Sequence, residues 1–217
     1  MATFTSEENS QFPFRFWGTD LVTPSQTQDV DLLRQLNFIP GLKELLMLRQ
    51  VHALEHATVW VLSESSVGPS SSIVSRTSST DNELLGGMST DQGFYLYGQV
   101  ETMYLRRAVH QALQRVTEGE WNLAVHPRCG TNLSVNMLLT VGLALGIHLV
   151  LPRGPIEQLL GLGLATTTAA QLAPGLGSVA QQYVTTAIPF NLAIAGVAAI
   201  RDDWGRPAHF VRVRWTE

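Results

Sequence analysis

The stretch of this chain best equipped for chemistry is HALEH, from His52 to His56. On a helix, residues four apart lie on one face, so both imidazoles can reach one cation, with Glu55, three residues after His52, beside them. H-x-x-E-H is the inverted form of the zincin motif, in which two histidines hold zinc and the glutamate acts as general base. The same five residues also fit an ordinary interfacial helix, so the reading turns on whether other donors are at hand.

AVHPRCGTN supplies them. His126 ends an expected strand, and Cys129 follows three residues later in a turn that Pro127 and Gly130 keep tight. That spacing lets an imidazole and a thiolate meet one metal. Cys129 is the single cysteine, which excludes an internal disulfide and leaves a buried thiol, a metal ligand or a reactive group. His52, His56, His126 and Cys129 together make a full tetrahedral set for zinc. If all four bind, the site is closed and Glu55 orients a histidine from outside. If three bind, a water is acidified and Glu55 takes its proton as it attacks a carbonyl, which is peptide or amide hydrolysis. A thiolate ligand makes the metal a poorer Lewis acid and counts against hydrolysis.

These residues need a scaffold. The segment GLKELLMLRQVHALEHATVWVLSES carries apolar residues at helical spacing and no breaker before Ser63, which predicts one helix over 41–62. A shorter helical pattern from Asp29 precedes it and stops at Pro40. Serine, glycine and proline dominate 63–83, a composition expected to form a mobile loop. GFYLYG suits a strand, residues 99–116 an amphipathic helix, and NLAVHP a second strand, so 93–127 is expected to be a β-α-β unit with parallel strands. Residues 1–27 read as an extended arm, polar and acidic where a secretory signal would need a basic start and an apolar core.

After HPRCGTN the character changes. Residues 133–151 contain no Asp, Glu, Lys or Arg and are about long enough to cross a bilayer core. PRGP makes a turn, and a second apolar segment returns with Gly161, Gly163, Ala165, Gly175 and Gly177 spaced for close helix packing. A buried helical pair inside a soluble core would read similarly, and Gln158, Gln171 and Pro174 weaken the second span. AHFVRVRWT then alternates, so 191–216 is expected to be a β-hairpin that rejoins the soluble part. The expected fold is α+β: a soluble part over 28–132, a transmembrane helical hairpin inserted over 133–184, and a returning β-hairpin over 185–217. Arginines cluster on the soluble side (Arg106, Arg107, Arg115, Arg128, Arg201, Arg206, Arg212, Arg214) against the single Arg153 in the turn. By the positive-inside bias the soluble part faces the cytoplasm.

Among 217 residues, 45% are hydrophobic and 15% charged, with the apolar ones crowded into the second half. The net charge of −4 and the lack of any basic run give no case for nucleic acid. Of the other histidines, His110 reads as solvated and His209 as structural. His148 falls inside the first apolar span, where it could ligate a tetrapyrrole or a second cation, or bond to a neighbouring helix.

HALEH and HPRCGTN, with LGGMSTDQGFYLYG between them and QQYVTT after the apolar hairpin, resemble an uncharacterised cyanobacterial membrane-protein family classed as a domain of unknown function, over about residues 30–217. More distantly, the two motifs alone are similar to a bacterial family of predicted metal-dependent membrane enzymes. His52, Glu55, His56, His126, Cys129, Gly130 and Thr131 carry the shared pattern. The resemblance implies a membrane-embedded protein with a metal site, in a plasma or thylakoid membrane. Two functions fit: a zinc-dependent hydrolase with Glu55 as base, or a non-catalytic assembly or scaffolding factor for a photosynthetic membrane complex with a structural zinc. The expected partners are membrane lipid and such a complex.

Overall fold

A computed structural model describes residues 24–66, 84–152 and 154–216. The arm expected over 1–27 therefore lies almost wholly outside the described residues, and so does the loop expected over 63–83 from residue 67 on.

A short helix, α1 (Gln28–Gln35), leads into the long α2 (Leu42–Ser66). α2 runs past the loop boundary expected at residue 63. The hydroxyls of Ser63 and Ser65 donate back to the carbonyls of Val59 and Val61, both at 2.8 Å, so these serines satisfy their hydroxyls within the helix. From Ala53 to Val59 every residue of α2 is buried. A helix buried on all sides has no one-sided apolar stripe to show, and its polar residues must find partners within the protein.

β1 (Gly86–Thr90) and β2 (Gly93–Tyr97) form a tight antiparallel hairpin. α3 (Thr102–Thr117) follows and buries Leu105, Ala108, Val109, Ala112 and Val116 against α2. The chain then makes a 3-10 turn at Trp121–Ala124 and enters two long helices, α4 (Gly130–Val150) and α5 (Pro155–Ala180). A single π turn, Gln181–Thr185, ends α5. β3 (Leu192–Arg201) and β4 (Pro207–Trp215) close a four-stranded antiparallel sheet of order β1-β2-β4-β3. The architecture is α+β, with the core where Phe94, Leu96 and Val211 of the sheet meet α2 and α3.

The expected β-α-β unit is not formed. Residues 121–126 are a 3-10 turn and its exit, not a strand, and β2 pairs antiparallel with β1 and β4. The physical reason is that this segment's backbone is engaged by side chains. The carbonyls of Ala124 and Val125 accept from His56 Nδ1 (2.8 Å) and Trp60 Nε1 (3.0 Å), and His126 N–H donates to Gln181 Oε1 (2.9 Å). These side-chain bonds hold the segment as a turn against α2 and α5 rather than in a ladder.

α4 and α5 pack as a hairpin along a stripe at four-residue spacing, Gly161, Ala165, Ala169, Ala173 and Gly177, all buried. Side chains at Gly161 and Gly177 would collide with Ile147 and Asn132 of α4, whereas Gly163 and Gly175 face open space. The other faces are greasy and bare. Leu138 (74% exposed), Leu149 (80%) and Leu159 (71%) are representative, and both helices are long and apolar enough to cross a membrane. His148 stands at the far end of this hairpin, where its Nδ1 meets Gln158 Oε1 at 2.8 Å. His110 is exposed on α3, and His209 Nε2 bonds Thr102 Oγ1 at 3.0 Å.

Candidate metal centre

α2 presents His52, Glu55 and His56 on one face, as their spacing requires, toward the turn that holds Cys129 and the end of α5. The metal-ligating atoms of His52, His56 and Cys129 all lie within 4.8 Å of one another. Cys129 Sγ is 3.3 Å from His52 Nε2. Zinc bonds of about 2.0–2.1 Å to nitrogen and 2.3 Å to sulfur, set tetrahedrally, place such donors about 3.5 Å apart. The spacing therefore fits a shared ion of that class.

Both rings are held in the tautomer that a metal needs. His52 Nδ1 is 3.0 Å from the carbonyl of Thr185, and His56 Nδ1 is 2.8 Å from the carbonyl of Ala124. A carbonyl oxygen can only accept, so each Nδ1 carries a proton, and in its neutral form each ring offers the Nε2 lone pair to the site. Backbone acceptors of this kind are the usual outer partners of ligating histidines.

Cys129 caps the N-terminus of α4, with its sulfur accepting from Thr131 N–H at 3.4 Å. Burial pushes the thiol pKa up, but the hydrogen bond and charge of His56, together with hydrogen bonds from Thr131, outweigh it and hold the thiol below the ordinary 9.0. Since the folded value is depressed, the thiolate's contribution is present above the unfolded value and is lost as pH falls through the folded one. In metal-free protein, the alkylation rate of Cys129 is expected to rise with pH through a midpoint below 9.0. Exchanging His56 for alanine is expected to move that midpoint upward.

Glu55 is only 8% exposed, and Ser89 Oγ donates to its Oε2 at 2.5 Å. Burial raises its pKa above the ordinary 4.5, against the Ser89 hydrogen bond and the nearby His52. A Cβ at Gly87 would stand inside the Glu55 carboxylate, so the carboxylate's place depends on that glycine. A cavity of about 310 Å³ opens over Glu55, His52, His56 and Cys129, floored on its other side by β1.

His126 lines the same cavity but does not join the three-donor cluster. Its ring centroid is 5.6 Å from that of His56 and 4.9 Å from that of Trp60, and its Nδ1 accepts from Arg128 N–H at 3.3 Å.

Two residues that sequence reasoning did not single out hold the centre together. Gln181, fully buried, accepts from His126 N–H and donates to Asn132 Oδ1 at 2.8 Å, while Asn132 Nδ2 donates to the Pro127 carbonyl at 2.6 Å. Thr185 offers its carbonyl to His52, and its hydroxyl lies 3.1 Å from Thr131 Oγ1. Both belong to QQYVTT, so the resemblance carried the signal even though composition did not. Gln181→Ala leaves a buried N–H without its acceptor and is expected to cost about 1–3 kcal/mol. Thermal unfolding of the detergent-solubilised variant measures that loss; an unchanged midpoint would contradict it.

Residues 47–197 match the family described as Domain of unknown function (DUF6391). That span encloses the whole cluster and both apolar helices. An uncharacterized protein of Picosynechococcus sp. (strain PCC 7002) is 51% identical over 205 residues, covering 93% of this chain and 96% of the relative. No solved structure matches the chain.

Proposed function

The chain belongs to the DUF6391 family, with a cyanobacterial relative, and we propose that it is a membrane-anchored, metal-dependent hydrolase. Its ligands are His52, His56 and Cys129, and its base is Glu55. The observation that carries this reading is the set of donors: His52, His56 and Cys129 converge on a cavity that Glu55 also lines, and in this reading the fourth coordination position faces that cavity. Three protein ligands with one place for water or substrate is the pattern of catalytic rather than structural zinc. Two imidazoles and a thiolate suit zinc by donor type.

A bound zinc ion supplies a Lewis acid that polarises a carbonyl and acidifies a water. The protein's own groups do the rest. Glu55 takes the proton as the water oxygen bonds to the carbonyl carbon, and returns it to the leaving amine nitrogen as the C–N bond breaks. A carboxyl lifted above its ordinary range by burial suits that exchange better than a solvated one. The carbonyls of Thr185 and Ala124 keep both imidazoles oriented throughout.

α4 and α5 are the anchor. The 21 residues of α4 span about 31 Å as a helix, the thickness of a bilayer core. An apolar surface of this size left bare in water would be an aggregation liability. The arginine distribution supports a soluble part on the cytoplasmic side. A phosphatase fused after residue 217 should then stay inactive, and an active fusion would reverse the orientation.

The test of the hydrolase reading is direct. Protein purified in detergent should retain one zinc per chain and cleave a quenched-fluorescent peptide mixture in a zinc-dependent way. Absence of a bound metal would overturn the reading.

A further inference from the structure

We infer that the substrate binds as an extended polypeptide added to the outer edge of β1, hydrogen-bonded to the main chain of Gly87 and Ser89; this rests on the hydrolase reading above.

β1 lies at the end of the sheet, and among the described residues it pairs with β2 alone. The register fixes which of its groups are committed. Thr90 faces Gly93 across the two-residue turn Asp91–Gln92, so the pairs Thr90–Gly93, Met88–Tyr95 and Gly86–Tyr97 exchange hydrogen bonds. The far side of β2 gives the same parity: Gln92 O accepts from Val213 N–H of β4, so residues 92, 94 and 96 face β4 while 93, 95 and 97 face β1. By alternation, the N–H and C=O groups of Gly87 and Ser89 point away from the sheet.

Those two residues are also the ones that touch the proposed base. Ser89 Oγ donates to Glu55 Oε2, and Gly87, exposed, lacks the Cβ that would displace the Glu55 carboxylate. Both line the cavity with His52, His56 and Cys129. A strand seated on this edge, about 4.8 Å from β1, runs across the cavity mouth and carries its carbonyls past the ligand cluster. Recognition through main-chain groups tolerates varied side chains and demands an extended, unpaired segment. Backbone nitrogens facing β1 must carry a proton, so proline or an N-methyl group there is excluded.

The experiment uses the full chain, zinc-loaded in detergent, with metal content measured on the same sample. The probe is acetyl-hexa-alanine capped as a hydroxamate, compared with acetohydroxamic acid and with the peptide N-methylated at alternate amides. The peptide is expected to bind about tenfold tighter than acetohydroxamic acid, to lose that gain in one of the two N-methylated registers, and to slow amide hydrogen exchange at Gly87 and Ser89. Zinc retained without any gain from the peptide overturns strand addition alone. So do gains that survive both N-methylated registers, or protection of Gly87 and Ser89 before peptide is added. A protein that retains no zinc overturns the hydrolase reading and this inference with it.

Discussion

His56→Ala is expected to abolish stable metal retention, lowering affinity by about 100-fold or more. The magnitude follows from what the ring does. Losing an outer partner of a ligand already costs about 10–100-fold in metal affinity, and His56 is one of the three donors that converge among the described residues. A site reduced to two donors holds an ion no better than many protein surfaces do. The substitution also frees the Ala124 carbonyl, a buried acceptor now bonded at 2.8 Å, so some loss of stability accompanies it. His110→Ala, on the exposed face of α3, is the control and should keep its metal. Equal metal content in both variants, measured after gel filtration, would mean that His56 is not a ligand. Lower pH should mimic the substitution in the unmodified protein, because ligands must be deprotonated and protons compete with the ion.

Glu55→Gln separates chemistry from binding. The amide keeps the shape and can still accept from Ser89, so the three ligands are undisturbed and metal content should match that of the unmodified protein. Hydrolysis should fall by about 10²–10⁴-fold, the usual contribution of a positioned base. A second consequence concerns stability. The folded-state pKa of Glu55 is raised by burial, so the protonated form favours the fold. That stability is complete below the ordinary value of 4.5 and is lost as pH rises through the raised value. At neutral pH the buried carboxylate therefore works against folding of the metal-free protein, and glutamine should raise its melting temperature there while leaving it unchanged in acid. Activity indifferent to this exchange would remove Glu55 from the mechanism.

What the sequence made legible was whatever depends on local period. His52, Glu55 and His56 share a face because 3.6 residues make a turn, and no tertiary contact is needed to say so. The two apolar helices and the β3–β4 hairpin are read from length and alternation for the same reason. Cys129 was legible as the chain's lone thiol beside a turn. The failures are non-local. β1 is GGMST, a composition with little strand propensity of its own, held by the two-residue turn and by Gly87 yielding space to Glu55. The segment 121–126 alternates like a strand, yet its carbonyls are taken by α2 side chains distant in sequence. Gln181 carried no signal of its own in the sequence; in the fold it ties the Cys129 turn to the end of α5. The carbonyls of Ala124 and Thr185 that orient the imidazoles have no sequence signature, because every residue has one.

X-ray absorption at the zinc edge of the protein purified without added chelator reports the ligand shell itself. One sulfur at about 2.3 Å, two imidazole nitrogens at about 2.0–2.1 Å and a further light atom from water are the expected scatterers. A shell without sulfur, or one filled by three imidazoles and the sulfur with no water, would contradict an open three-ligand centre built from His52, His56 and Cys129.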